Sequence, residues 1–145
     1  PIPGVSKQCF IKPSDSVPVT VASVSSEQAP NVAENLLDGN RADDSRWSAQ
    51  GFPQHVVFDL GRSKTVTGTK MWTYADRAYQ YRVYVSNSPN SGFVKVADRA
   101  GNTASNQPLS TSFSRAGRYV KVEVVGAHNY SSNWVSINEV EIETN

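Results

Sequence analysis

From residue 19 onward the chain is a succession of short apolar runs separated by clusters of Gly, Asn, Ser and Pro. Where the runs are long enough to show a period, the period is two. Val120, Val122 and Val124 alternate with Lys121, Glu123 and Val125, and Val140 and Ile142 alternate with Glu139, Glu141 and Glu143. Successive side chains of a strand point to opposite faces, so this pattern predicts strands with one face in a core and one in water. Strands are expected at 19–23, 55–60, 66–72, 81–86, 94–96, 111–113, 119–125 and 135–143. Short strands at this spacing, with turn residues between them, predict an all-β antiparallel sandwich or barrel. Helix is expected only as a turn at 33–37, closed by Asp38-Gly39, where glycine supplies the positive φ that ends it. Polar loops at 97–108 and 126–133 are the places to seek function, because strands fix a loop's ends while leaving its sequence free.

Length and charge narrow this picture. The chain's 145 residues suit one domain with a substantial core. Pro1, Pro3, Pro13 and Pro18 mark residues 1–18 as a linker or lead-in, which leaves 19–145 as the domain. Fourteen Lys and Arg balance 13 Asp and Glu, interspersed along the chain, so nothing marks a nucleic-acid or membrane-surface partner. No run approaches a bilayer-spanning length, and no leader opens the chain, so a soluble domain is expected. Cys9 is the single cysteine, which rules out an internal disulfide. It sits in the Pro-rich stretch, far in sequence from either histidine, and a catalytic thiol needs an activating partner.

Three stretches carry candidate chemistry. In Asn35-Leu-Leu-Asp-Gly-Asn40 and on to Trp47, oxygen-bearing side chains crowd a short turn bounded by apolar anchors. Hard cations such as Ca2+ take ligands of this kind, although an Asx-rich turn held by its own hydrogen bonds has the same composition. The spacing is not that of an EF-hand loop. The second stretch runs from Trp72 to Tyr81 and sets Tyr74, Tyr79 and Tyr81 around Arg77. Aromatic faces stack on sugar rings, and arginine donates paired hydrogen bonds to hydroxyls or a carboxylate. Tyr81 is expected to pack in the core instead. The third stretch, from Ala127 to Trp134, again mixes aromatics with imidazole and amide groups; there Trp134 could equally plug the core.

Catalysis finds little to work with. His55 and His128 are the only histidines, and no Ser-His-Asp order, HExxH, phosphate-cradling glycine loop or cysteine cluster can be assembled from this sequence. A pair of carboxylates would suffice for glycoside hydrolysis. Most Asp and Glu, however, fall in the Asp38 turn or on what the alternation makes the exposed face of the last strand. A non-catalytic domain is expected.

Taken in order, Asn35-Leu-Leu-Asp-Gly-Asn40, Ser45-Arg-Trp47, Val57-Phe-Asp-Leu-Gly61, Tyr84-Val-Ser86, Arg118-Tyr-Val-Lys-Val122 and Asn138-Glu-Val-Glu-Ile142 resemble the discoidin, or coagulation factor 5/8 type C, domain over residues 19–143. Within it the chain is most similar to family 32 carbohydrate-binding modules, found beside bacterial glycosidases and lyases. Coagulation-type members carry a cysteine pair and lipid-inserting loop tips, and neither is present here, which favours the lectin branch over a discoidin-type adhesion domain. The resemblance implies a five-plus-three-stranded jelly-roll sandwich that is secreted or periplasmic and binds a polysaccharide for a glycan-degrading enzyme. It also implies a structural calcium ion, held by Asn35, Asp38, Asn40, Ser45 and Glu139. Sugar contacts are carried over less directly, to Tyr74, Arg77, Tyr79, His128, Tyr130, Asn133 and Trp134. Arg77 points to an acidic ligand of pectate or alginate type, with a neutral galactoside as the alternative.

Overall fold

A computed structural model of the chain describes residues 18–145, so all of the expected lead-in except Pro18 lies outside the described residues, as does Cys9. Among the described residues seven strands follow one another: β1 (Thr20–Val24), β2 (Trp47–Gln50), β3 (Gln54–Thr73), β4 (Ala78–Ser86), β5 (Val94–Arg99), β6 (Leu109–His128) and β7 (Trp134–Thr144). Two short 3-10 turns interrupt them, one at Ala33–Leu37 as the sequence predicts and one at Tyr74–Asp76. Every pairing is antiparallel.

The sandwich is made by two strands that belong to both layers. β3 and β6, each 20 residues long, pair along their length, but the register breaks between Asp59 and Lys64. Before the break, β3 takes β1 on its free edge while β6 takes β4 and then β5, which gives the five-stranded layer β1-β3-β6-β4-β5. Beyond it, β3 takes β7 instead, which gives the three long strands β6-β3-β7, with short β2 added beside Trp134–Ile137. The five-plus-three jelly roll is thus confirmed, with β2 as an extra edge.

Two pairs of expected strands are in fact single strands. Segments 55–60 and 66–72 join as β3, and 111–113 and 119–125 join as β6. Gly61-Arg62-Ser63 looks like a turn in sequence, yet the ladder resumes at Lys64 opposite Gly117, so the extra residues form a bulge that bends the strand between layers. The bend is pinned locally. Asp59 Oδ1 accepts from the Gly61 N–H at 2.7 Å, and Arg118 donates to both Asp59 carboxylate oxygens at 2.9 and 3.1 Å. At Gly117 a Cβ would run into the Val85 side chain, so glycine lets β6 cross close to β4. β2 went unread because four residues are too few to display alternation.

Val120, Val122 and Val124 are all buried, with Val56, Phe58, Leu60, Val66 and Met71 of β3 in the same core. Each such side chain removed from water contributes about 1.5–3 kcal/mol before conformational entropy is set against it. Trp47, Tyr79 and Tyr81 are fully enclosed. Because Ala78 pairs with His128 and Gln50 with Trp134, the β3–β4 turn, the β6–β7 loop and the end of β2 meet at one end of the sandwich.

Candidate functional site

At that end the chain turns sharply from β3 into β4. Ala75 and Asp76 both adopt φ of 53°, Arg77 N–H donates to the Tyr74 carbonyl at 3.1 Å, and Thr73 Oγ1 donates to the Arg77 carbonyl at 2.7 Å. The turn swings the Arg77 guanidinium against two rings, with its carbon 4.2 Å from the Tyr130 centroid and 5.0 Å from that of Tyr74. A second guanidinium, that of Arg46, lies 4.7 Å from the same Tyr74 ring. Arg46 is held there by donating to the Asp43 carbonyl at 3.0 Å and to Ser48 Oγ at 3.3 Å.

Arg46, Arg77, Tyr74, Tyr130 and Trp134 stand in the wall of a groove of about 300 Å³, completed by the amides of Gln28 and Asn31 and by Ser48 and Ser136. The wall contains no Asp or Glu. Among the described residues neither arginine forms an ion pair with a carboxylate. Two uncompensated guanidinium forks beside aromatic faces suit a planar anion on a ring-shaped ligand.

The structure sorts the sequence-predicted sugar contacts. Tyr74, Arg77, Tyr130 and Trp134 converge on this groove. Tyr79 does not, because its ring is fully buried. Its hydroxyl donates to the Trp134 carbonyl at 2.7 Å and accepts from the Ser136 N–H at 2.9 Å and from Arg77 Nη1 at 3.0 Å. Burial pushes that phenol's pKa up, partly offset by Arg77. Tyr79 therefore offers no face to a ligand and works as a brace between Arg77 and β7. The reason it was misplaced is register: β4 begins at Ala78, so the stretch read as a loop is already strand, with Tyr79 and Tyr81 pointing inward. His128 is exposed and lines an adjoining depression, and exposed Asn133 is outside the wall of this groove, its carbonyl accepting from the Gly51 N–H at 2.6 Å. Arg46 was missed. The local sequence around Trp47 marks it only as a neighbour of a core residue, and nothing local places it across from Arg77.

The oxygen-rich turn packs against the middle of β7, at Asn138–Glu141. Glu139, expected on the exposed face of the last strand, is 5 % exposed. Its Oε2 accepts from the Gly39 N–H at 3.1 Å, while Oε1 is buried without a partner, as is Oδ1 of Asn138. Burial pushes the Glu139 carboxyl up to about 7, and the adjacent Asp38 adds to this against the Gly39 hydrogen bond. Burial also raises Asp38, but hydrogen bonds from Ser45 Oγ and the Asn40 N–H outweigh it and hold Asp38 below its usual range. Asn40 is engaged within the turn, accepting from Ala42 N–H at 2.9 Å and donating to Asp44 at 3.0 Å. Asn35 donates through its amide to the carbonyls of Pro30 and Arg46 at 3.2 and 3.0 Å, bracing both ends of the turn. Among the described residues no three or more His, Cys, Asp or Glu side chains gather in one place, so a cation here would depend on hydroxyl, amide and backbone oxygens beside the two carboxylates.

These features define a class: a jelly-roll sandwich with a groove between the loops at one end. Residues 20–140 match the F5/8 type C domain family. The chain belongs to that family, and its structural relatives place it among the family 32 carbohydrate-binding modules. The family 32 module of AlyQ, solved with 4,5-unsaturated mannuronic acid, is 34 % identical, with 88 % of this chain and 94 % of that one covered at a TM-score of 0.71. A truncated AlyQ that also contains its alginate lyase domain is 34 % identical over 87 % of this chain and 31 % of that longer one, at a TM-score of 0.68. A pectin-binding module, at 22 % identity and a TM-score of 0.73 over 88 % of this chain and 90 % of that one, shares the fold. No curated protein matches the chain. Domains of this family are binding modules, and among the described residues no helix is long and apolar enough to cross a membrane.

Proposed function

We propose that this chain is a non-catalytic carbohydrate-binding module that holds a secreted or periplasmic polysaccharide-degrading enzyme on an acidic polysaccharide of pectate or alginate type. The observation that carries the reading is the groove in which Arg46 and Arg77 face a common space without any carboxylate in its wall. A uronate presents a carboxylate for the guanidinium forks and a ring for Tyr74, Tyr130 and Trp134, which is the combination such a groove can orient. The AlyQ module's mannuronic acid complex and the lyase domain beside it in the longer chain agree with this reading.

Titration calorimetry with mannuronate and galacturonate oligomers, set against a neutral galactoside, tests it. Uronate binding that weakens as salt rises supports the proposal, since screening acts on ion pairs and leaves stacking nearly untouched. Preference for the galactoside with indifference to salt overturns the acidic half in favour of a neutral lectin. Binding only to lipid vesicles overturns it in favour of an adhesion domain, and release of reducing or unsaturated sugar overturns the non-catalytic reading.

We also propose that the Asp38 turn holds a structural calcium ion. The partnerless Glu139 Oε1, the adjoining Asp38 carboxylate and the Ser45 hydroxyl form an all-oxygen set suited to a hard cation. Asn40 and Asn35 stand on the same turn and would contribute amide or backbone oxygen. The ion would join this turn to β7 and neutralise two neighbouring carboxylates; it is assigned no contact with sugar.

A further inference from the structure

A second groove, of about 280 Å³, adjoins the first, and Arg77 and Tyr130 stand in the walls of both. Its chemistry differs. In place of a second arginine it presents the hydroxyls of Thr103 and Ser105, the His128 imidazole and the Asn129 amide, with Asp76 as its one carboxylate. Groups of this kind both donate to and accept from sugar hydroxyls, and Asp76 is the one group in the wall that opposes a carboxylate.

This groove is built, not incidental. Asn102 ties its far wall to β4, donating to the Tyr79 carbonyl at 3.0 Å and the Ala104 carbonyl at 2.9 Å and accepting from Ala104 N–H at 3.1 Å. Gln107 ties the same wall to the β3–β4 turn, donating to Thr73 Oγ1 at 2.9 Å and the Ser105 carbonyl at 3.0 Å and accepting from Thr73 N–H at 2.7 Å. All the non-glycine residues with positive φ among those described, Ala75, Asp76 and Asn129, line this one depression. Asp and Asn visit that conformation readily, so Ala75 is the position whose backbone the surroundings must hold, and residues so held gather at ligand sites.

We propose that the second groove is a subsite for the adjacent sugar, so that the module reads at least two consecutive residues of the polymer. The inference rests on the acidic-polysaccharide reading above. The carboxylate of one residue lies between Arg46 and Arg77, and the hydroxyls of the next lie against Thr103, Ser105, His128 and Asn129. Arg77 links the two, because it stands in the walls of both and its fork has further N–H donors beside the one that goes to the Tyr79 hydroxyl. The two grooves, of about 300 and 280 Å³, each lie at the lower end of the volumes typical of ligand pockets, which start at about 300 Å³.

Calorimetry with uronic acid mono-, di- and trisaccharides provides the test. The disaccharide is expected to bind on the order of tenfold tighter than the monosaccharide, as a few added hydrogen bonds would allow. Ser105→Trp, at an exposed loop position, should erase that gain while leaving monosaccharide affinity unchanged. Thr103→Ala, which cannot disturb folding by bulk, should reduce the gain in the same direction. Equal affinities for all lengths, or full oligomer affinity in both variants, overturns the subsite while the acidic-ligand reading stands. If no uronate binds at any length, that earlier reading falls and the subsite with it.

Discussion

Arg46 and Arg77 converge on a single ring, with their guanidinium carbons 4.7 and 5.0 Å from the centroid of Tyr74. One comes from the residue preceding β2 and the other from the turn into β4. Like charges so placed repel each other, and no carboxylate in the groove wall relieves them. An anionic ligand does, which is why each arginine is expected to matter to affinity more than to folding.

Arg77→Ala and Arg46→Ala should each weaken uronate binding by about tenfold to a hundredfold, the equivalent of a charge-assisted hydrogen bond worth roughly 1.5–3 kcal/mol. Melting temperature should hardly move, since both side chains reach the surface. Arg77→Lys should restore only part of the affinity, because an ammonium lacks the planar fork. Calorimetry beside a thermal melt checks this, and normal binding by both alanine variants would move the site elsewhere.

Tyr79→Phe should show the opposite balance. It deletes the hydroxyl that accepts from Ser136 N–H and donates to the Trp134 carbonyl. Buried backbone groups left without partners cost about 1–3 kcal/mol, so denaturant titration should register that loss of stability. Affinity should fall less than in Arg77→Ala, because the guanidinium loses only its brace. A Tyr79→Phe protein with unchanged stability would refute the bracing role.

Exhaustive chelation should lower the melting temperature, and added calcium should raise it in a concentration-dependent way, because a ligand of the folded state alone stabilises it by mass action. Glu139→Gln keeps the side chain's size and removes its charge, so it should abolish the calcium response. Asp38→Ala should destabilise the calcium-loaded protein more than any groove substitution. Identical melts with and without chelator, together with no bound metal by elemental analysis, would dispose of the ion.

Hydrogen bonds from Arg118 hold the Asp59 carboxyl below its usual range. A depressed carboxylate pKa means that the unfolded chain binds the proton more tightly. The contribution is therefore fully present above the unfolded value of about 4 and is lost as pH falls through the lower folded one. Melting temperature should drop over that acidic interval, and Arg118→Ala should flatten this part of the profile. An unchanged acid limb in the variant would show that the clamp does not couple to stability.

The legible part of this molecule was what is local. Alternation at Val120–Val124 and Val140–Ile142 follows from the two-residue period of a strand, and it located two strands and the faces of most of their residues. The Asp38–Asn40 turn could likewise be read from its composition, as could the aromatic content of the loops. Glu139 shows where the rule fails. Its parity with Glu141 and Glu143 places it outward, but the Gly39 turn covers that face of β7, so it is buried.

What only the tertiary structure decided is pairing across distance. Residue types alone cannot tell a turn from a bulge, because Gly61-Arg62-Ser63 suits both; the resumption of the β3–β6 ladder at Lys64 settles it and makes one strand serve two layers. The start of β4 at Ala78 turned Tyr79 from a sugar platform into a core brace. Sequence by itself determined most of the strand segments, the four-residue β2 excepted, and which residue types crowd the loops, since propensity and period act over neighbouring residues. Register, bends and the meeting of Arg46 with Arg77 were decided by packing, which depends on residues far apart in the chain and leaves no mark on either neighbourhood alone.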